Sequence, residues 1–125
     1  MTKIIINKWL PKKPYAGMAI GERIFVREDA KLTKTLIAHE LVHVEQYRNH
    51  GMIKFLAVWL WEFATKGYRN IRWEKEAYKL QNDIYYQNWA EDVLKQNGFW
   101  FLVFSWPTVP KDSRFSKAAL DSVLS

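Results

Sequence analysis

The sequence predicts an α+β fold, mainly helical, with a small β-sheet near the N-terminus. Three observations carry this expectation. Two short β-branched and aromatic runs, residues 4–6 and 23–27, come first in the chain. From Thr33 to about Leu94 the apolar residues change to helical spacing. Glycines at 21, 51, 67 and 98 fall where such elements would turn or stop.

The elements follow in order. Arg23-Ile24-Phe25-Val26-Arg27 sets charges at both ends of an apolar centre, after the turn signal Gly21. Pro11, Pro14 and Gly17 predict an irregular segment between the two strands. Leu36, Ile37, Leu41, Val44 and Tyr47 then recur as on one helix face; Thr33 or Thr35 can cap its start, and Gly51 stops it. A second helix is expected over 53–66, where Phe55, Leu56, Trp59, Leu60 and Phe63 form a wide stripe closed by Gly67. A third begins near Asn70 and runs through Ala77, Leu80 and Ile84 to Leu94, ended by Asn97-Gly98. The aromatic run Phe99 to Trp106 reads as a buried strand or an extended arm, and a short helix is expected over 116–124 after Pro107 and Pro110.

Composition narrows the class. A chain of 125 residues fits a single domain, 1–125, with 49% apolar and 16% aromatic residues to build one core. The formal charge of +6 is spread along the chain, with no basic block longer than Lys12-Lys13. Scattered charge of this kind favours solubility over nucleic-acid binding. The absence of cysteine excludes disulfides, thiolate metal sites and a Cys nucleophile. The N-terminal apolar run is too short for a secretory leader, and the runs at 55–61 and 99–106 fall well below the ~18–20 residues of a spanning helix. The expectation is a cytoplasmic protein with no membrane-spanning segment.

The chemistry is concentrated in His39-Glu40-Leu41-Val42-His43. Residues four apart lie one turn apart on the same helix face, so two imidazoles there can share one Zn²⁺ at about 2.0–2.1 Å. Glu40 is rotated from His39 by about 100°, which lets its carboxylate serve as general base toward a water in the site without ligating the metal. Leu41 and Val42 are expected in the core, holding the helix rigid.

Catalytic zinc takes three protein ligands and leaves one position open. His50 lies seven residues past His43, about 10 Å along a continuous helix, too far to share the ion. It is better placed to complement the helix dipole. The third helix offers Trp73-Glu74-Lys75-Glu76-Ala77-Tyr78. Glu74 and Glu76 differ by about 200° around the helix, so one of them points inward. Glu74 shares a face with Ala77, a small residue that permits close approach, and is the expected third ligand; Glu76 then faces outward.

These segments, together with Gly67-Tyr68-Arg69-Asn70, resemble the compact gluzincin-type zinc metallopeptidases of bacteria and their phages. The likeness covers roughly residues 17–80. It implies a zincin-like active-site helix packed on a glutamate-bearing helix, and hydrolysis of a peptide or protein substrate. Glu74 and Ala77 match the family's Glu-x-x-Ala pattern, while Tyr78 stands where an acidic or amide residue often supports a ligand histidine. The resemblance also implies an edge strand that receives substrate, here Ile24 to Arg27, and an oxyanion-stabilising side chain among Tyr15, Tyr68 and Tyr78. The alternative is a metal-binding protein that does not cleave, or is autoinhibited, and acts through its aromatic C-terminal segment.

Overall fold

The computed structural model describes residues 2–98 apart from Pro14. The aromatic run from Phe99 and the expected terminal helix lie outside the described residues. The fold is α+β and mainly helical, with a three-stranded sheet at the N-terminus.

The strands are β1 (Lys3–Asn7), β2 (Gly17–Ile20) and β3 (Arg23–Arg27), in the order β1-β3-β2. β1 pairs with β3 in parallel and β2 with β3 antiparallel. Alternation along β3 turns Ile24 and Val26 into the core, both almost fully buried. The β2–β3 hairpin closes through Gly21-Glu22, and Gly21 adopts the positive φ of 60° that a two-residue hairpin loop demands. Two expectations are corrected here. The segment expected to be irregular contains β2, a four-residue strand that pairing with β3 secures. Ile24 to Arg27 is consequently central, paired on both sides, and among the described residues the edge next to it belongs to β2.

Helix α1 (Lys34–His50) is the centre of the molecule. Thr33 Oγ1 accepts the Leu36 N–H at 2.8 Å and caps its start. From Ile37 to Val44 every residue is buried, because β2, α2 (Met52–Lys66), α3 (Arg72–Leu80) and α4 (Ile84–Gln96) surround it. Gly51 and Gly67, at φ of 82° and 81°, end α1 and α2, and a single 3₁₀ turn at Tyr68–Asn70 leads into α3.

The long third helix expected from Asn70 to Leu94 is two helices. The chain breaks at Gln81–Asp83, where Asp83 caps α4 by accepting the Tyr85 N–H at 2.9 Å. Asn82-Asp83 favours such a cap over a helix interior, and Gln87 Nε2 donates to the Gln81 carbonyl at 2.6 Å across the turn. The break swings α4 back along α1, where Asn97 ties its end to β1 by accepting the Ile4 N–H at 3.1 Å. The apolar stripe of α2 also differs from expectation: Phe55 is buried, whereas Leu56, Leu60 and Phe63 are exposed.

Candidate metal centre

His39, Glu40 and His43 lie on the most buried stretch of α1, and Glu74 enters from the first turn of α3. Ala77 is fully buried between α3 and its neighbours, so the small side chain allows the close approach expected of it. His39 Nε2 lies 3.1 Å from Glu74 Oε1, and His43 Nε2 lies 3.0 Å from Glu74 Oε2. All three side chains are more than nine-tenths buried.

The donor set can be tested against a metal. Ligand atoms placed tetrahedrally at 2.0–2.1 Å around zinc stand about 3.3 Å apart. Here one donor atom from each residue lies within 4.8 Å of the others, with the two closest separations at 3.0 and 3.1 Å. Two imidazole nitrogens and a carboxylate are also the ligand chemistry that zinc takes. The residues fit the ion.

The outer nitrogens are held as a metal site needs. His39 Nδ1 pairs with Gln81 Oε1 at 2.9 Å, and His43 Nδ1 pairs with Gln46 Oε1 at 2.8 Å. Gln46 is itself fixed, because its Nε2 donates to the Trp73 carbonyl at 3.1 Å and to Glu76 Oε1 at 2.9 Å. With amide oxygens as acceptors, each Nδ1 carries its proton and each Nε2 is directed inward. Tyr68 completes the shell by donating its hydroxyl to Glu74 Oε1 at 2.9 Å.

The electrostatics are those of a buried, tightly coupled cluster. Burial opposes the charge on Glu74, but hydrogen bonds from His39 and His43 prevail and hold its carboxyl far below the usual range. Burial likewise opposes a charged His43, yet its hydrogen bond to Glu74 and the charge of Glu40 raise the imidazole to about 9. Glu40 moves the other way from Glu74. Burial pushes its carboxyl up, with the two histidines only partly offsetting that. A raised carboxyl is a better proton acceptor than an exposed one. The Tyr68 hydroxyl is driven up as well, by burial and then by the Glu74 charge.

Glu40 sits against β2. A methyl group at Gly17 would meet the Glu40 carboxylate at 3.5 Å and Leu36 Cδ1 at 3.3 Å, so glycine lets this strand pass close over the acid. Tyr47 pins the strand there by donating its hydroxyl to the Ala19 carbonyl at 3.1 Å. A cavity of about 480 Å³ opens in front, floored by His39, Glu40, His43 and Glu74 and walled by β2, Tyr15, Tyr68 and the apolar residues of α2.

Sequence reasoning named all four residues of the floor, and the structure brings them together. It leaves His50 apart, exposed and tilted against Trp73, with ring centroids 4.8 Å apart. Glu76 is exposed, as expected, yet it supports Gln46. Tyr78 packs edge-on against His39, with centroids 4.6 Å apart, while the amide partner of His39 comes one turn later as Gln81. Gln46 and Gln81 were missed. Their signal lay in the spacing: Gln46 follows His43 by three residues, and Gln81 follows Glu74 by seven, two turns along the same face. Comparisons with known protein families, curated proteins and solved structures find no match.

Proposed function

We propose that this protein is a zinc-dependent peptidase of the gluzincin type, with His39, His43 and Glu74 as metal ligands and Glu40 as general base. One observation carries the reading: two imidazole nitrogens and a carboxylate converge at 3.0–3.1 Å, beside a second buried carboxylate, on the floor of an open cavity. Among the described residues, His39, His43 and Glu74 form the one group able to hold a metal ion in this way.

The roles follow from position. A bound zinc ion supplies Lewis acidity, polarising a carbonyl and lowering the pKa of a coordinated water toward 7. Glu40, one residue from His39 and with its carboxyl raised chiefly by burial, is placed to accept a proton from water in the site and to pass it to the leaving amine. Gln46 and Gln81 keep both imidazoles in the tautomer that presents Nε2 inward. Tyr68 is the preferred donor to the developing oxyanion, because its hydroxyl lies at the ligand cluster and its side chain lines the cavity. The edge of β2 replaces Ile24 to Arg27 as the place for an extended peptide, since Gly17, Met18 and Ala19 border the same cavity.

Zinc analysis combined with hydrolysis of casein tests the proposal. Glu40→Gln should keep the metal and the fold while lowering hydrolysis by at least about 10²-fold, because an amide cannot accept the proton. Wild-type protein that holds zinc but cleaves nothing would favour the non-proteolytic reading instead.

A further inference from the structure

Helix α2 carries its polarity inside out. Eleven of its fifteen residues are apolar, yet the buried ones are Phe55 and the charged Glu62. At about 100° per residue, those two lie within about 20° of each other around the helix. The opposite arc, about 160° wide, holds Ile53, Leu56, Leu60, Trp61 and Phe63. Ile53 is 88% exposed, Trp61 70% and Leu60 63%. No charged side chain interrupts this arc; the nearest, Lys54, stands at its margin. The inward Glu62 is fully satisfied, accepting the Arg72 N–H at 2.9 Å and meeting Lys66 Nζ at 3.2 Å. An ordinary surface helix shows the reverse arrangement.

A second exposed apolar element adjoins it. Leu10 and Pro11 share the lining of the cavity with Leu56 and Leu60, which brings the loop after β1 beside α2. Trp9, in that loop, is 79% exposed. The net charge around both elements is positive. Residues 8–20 hold three lysines, of which Lys13 pairs with Asp29, and residues 51–72 hold four lysines and arginines, of which Lys66 and Arg72 pair with the buried Glu62; Lys8, Lys12, Lys54 and Arg69 carry the remaining positive charge.

We propose that the outer face of α2, with the Trp9-Leu10 loop, docks on the surface of an anionic lipid bilayer. Aliphatic side chains would enter the acyl boundary, the tryptophans would sit at headgroup level, and the surrounding cations would meet lipid phosphates. Fifteen residues make a helix of about 22 Å, too short to cross the hydrocarbon core, so α2 lies along the surface. A second copy of the chain is the poorer occupant, because it would set the lysines and arginine around this face, Lys8, Lys12, Lys54 and Arg69, against their own copies. The docked orientation places the mouth of the cavity at the lipid surface. None of this depends on the metal chemistry, so His39→Ala should bind lipid as the wild type does.

Sedimentation of the full chain with vesicles tests it, using phosphatidylcholine alone and phosphatidylcholine mixed with phosphatidylglycerol. The wild type should pellet with the mixed vesicles, be released by high salt, and largely ignore the neutral ones. Replacing Ile53→Asp and Leu60→Asp together should weaken partition at least about tenfold while the circular-dichroism spectrum stays unchanged. Should that variant fail to fold, Lys12→Glu with Lys54→Glu leaves the apolar arc intact and should still weaken binding to the mixed vesicles. Absence of binding by the wild type, or unchanged binding in a folded variant, overturns the proposal. So does a wild-type dimer that ignores vesicles and becomes monomeric in the Ile53→Asp, Leu60→Asp variant.

Discussion

Gln46 and Gln81 decide what the two histidines can do. A buried imidazole is useful to a metal when one nitrogen is committed elsewhere and the other is directed at the ion. Each glutamine amide supplies that commitment, at 2.8 and 2.9 Å. Neither partner is an acid, so the support adds no negative charge behind the ligands; Glu74 already provides one in front. Replacing Gln81→Ala should therefore lower zinc affinity by about 10- to 100-fold without removing a ligand. Titration against a chromogenic chelator would measure this, and an unchanged affinity would mean that His39 is oriented by packing against Tyr78 instead. Glu40 stands in the opposite situation, because burial, with a smaller contribution from the Glu74 charge, raises its carboxyl. The two nearest acids of the site are thus pushed apart in proton affinity, Glu74 down and Glu40 up, which matches a ligand and a base.

At the scale of elements, the features legible in the sequence are those that local chemistry dictates. The histidine pair on α1, the Thr33 cap and the stops at Gly51 and Gly67 rest on helical spacing and on backbone preferences of single residues. β2 was hidden because a four-residue strand beginning at glycine has no periodicity of its own; pairing with β3 and the Tyr47 tether create it. The α3–α4 break was hidden because Leu80 and Ile84 keep helical spacing across it, while the Asp83 cap and the Gln87 bond enforce the turn. α2 misled for another reason. Its apolar stripe is real, but the face it packs with is chosen by Glu62, which anchors the start of α3.

That anchor gives a prediction in pH. The Arg72 N–H, followed by Lys66 and the Arg72 guanidinium, holds the Glu62 carboxyl below its usual value despite opposition from burial. A depressed carboxyl contributes stability above its unfolded pKa of about 4.3 and loses it as pH falls through the lower folded value. Glu62→Gln should consequently be less stable than the wild type at neutral pH, with the difference shrinking below about pH 4. Urea melts across that range would show the two curves converging. Parallel curves would mean that Glu62 acts by shape alone.

On the scale of the whole molecule, α1 serves as a shared axle. β2, α2, α3 and α4 each pack on it, and so each reaches the histidine pair with something different. β2 brings an edge and the space left by Gly17; α3 brings Glu74; the turn before α4 brings Gln81; α2 brings the apolar wall of the cavity. The mainly helical α+β class and the His39–His43 pair were readable from spacing, because residues four apart on a helix are a local pattern, and Glu74 was readable from its place beside the small Ala77. The order of the strands and the supports behind the ligands were not, because they depend on how distant segments meet.

On the proposed reading, His39, His43 and Glu74 together hold one zinc ion. Elemental analysis of the purified chain, run beside His39→Ala, His43→Ala, Glu74→Gln, Glu76→Gln and His50→Ala, decides this. About one zinc per wild-type chain is expected, with near-complete loss in both histidine variants. Affinity should weaken at least about tenfold in Glu74→Gln, roughly 1.4 kcal/mol, and change little in Glu76→Gln or His50→Ala. Unchanged zinc in either His39→Ala or His43→Ala would contradict that reading, as would a loss confined to His50→Ala.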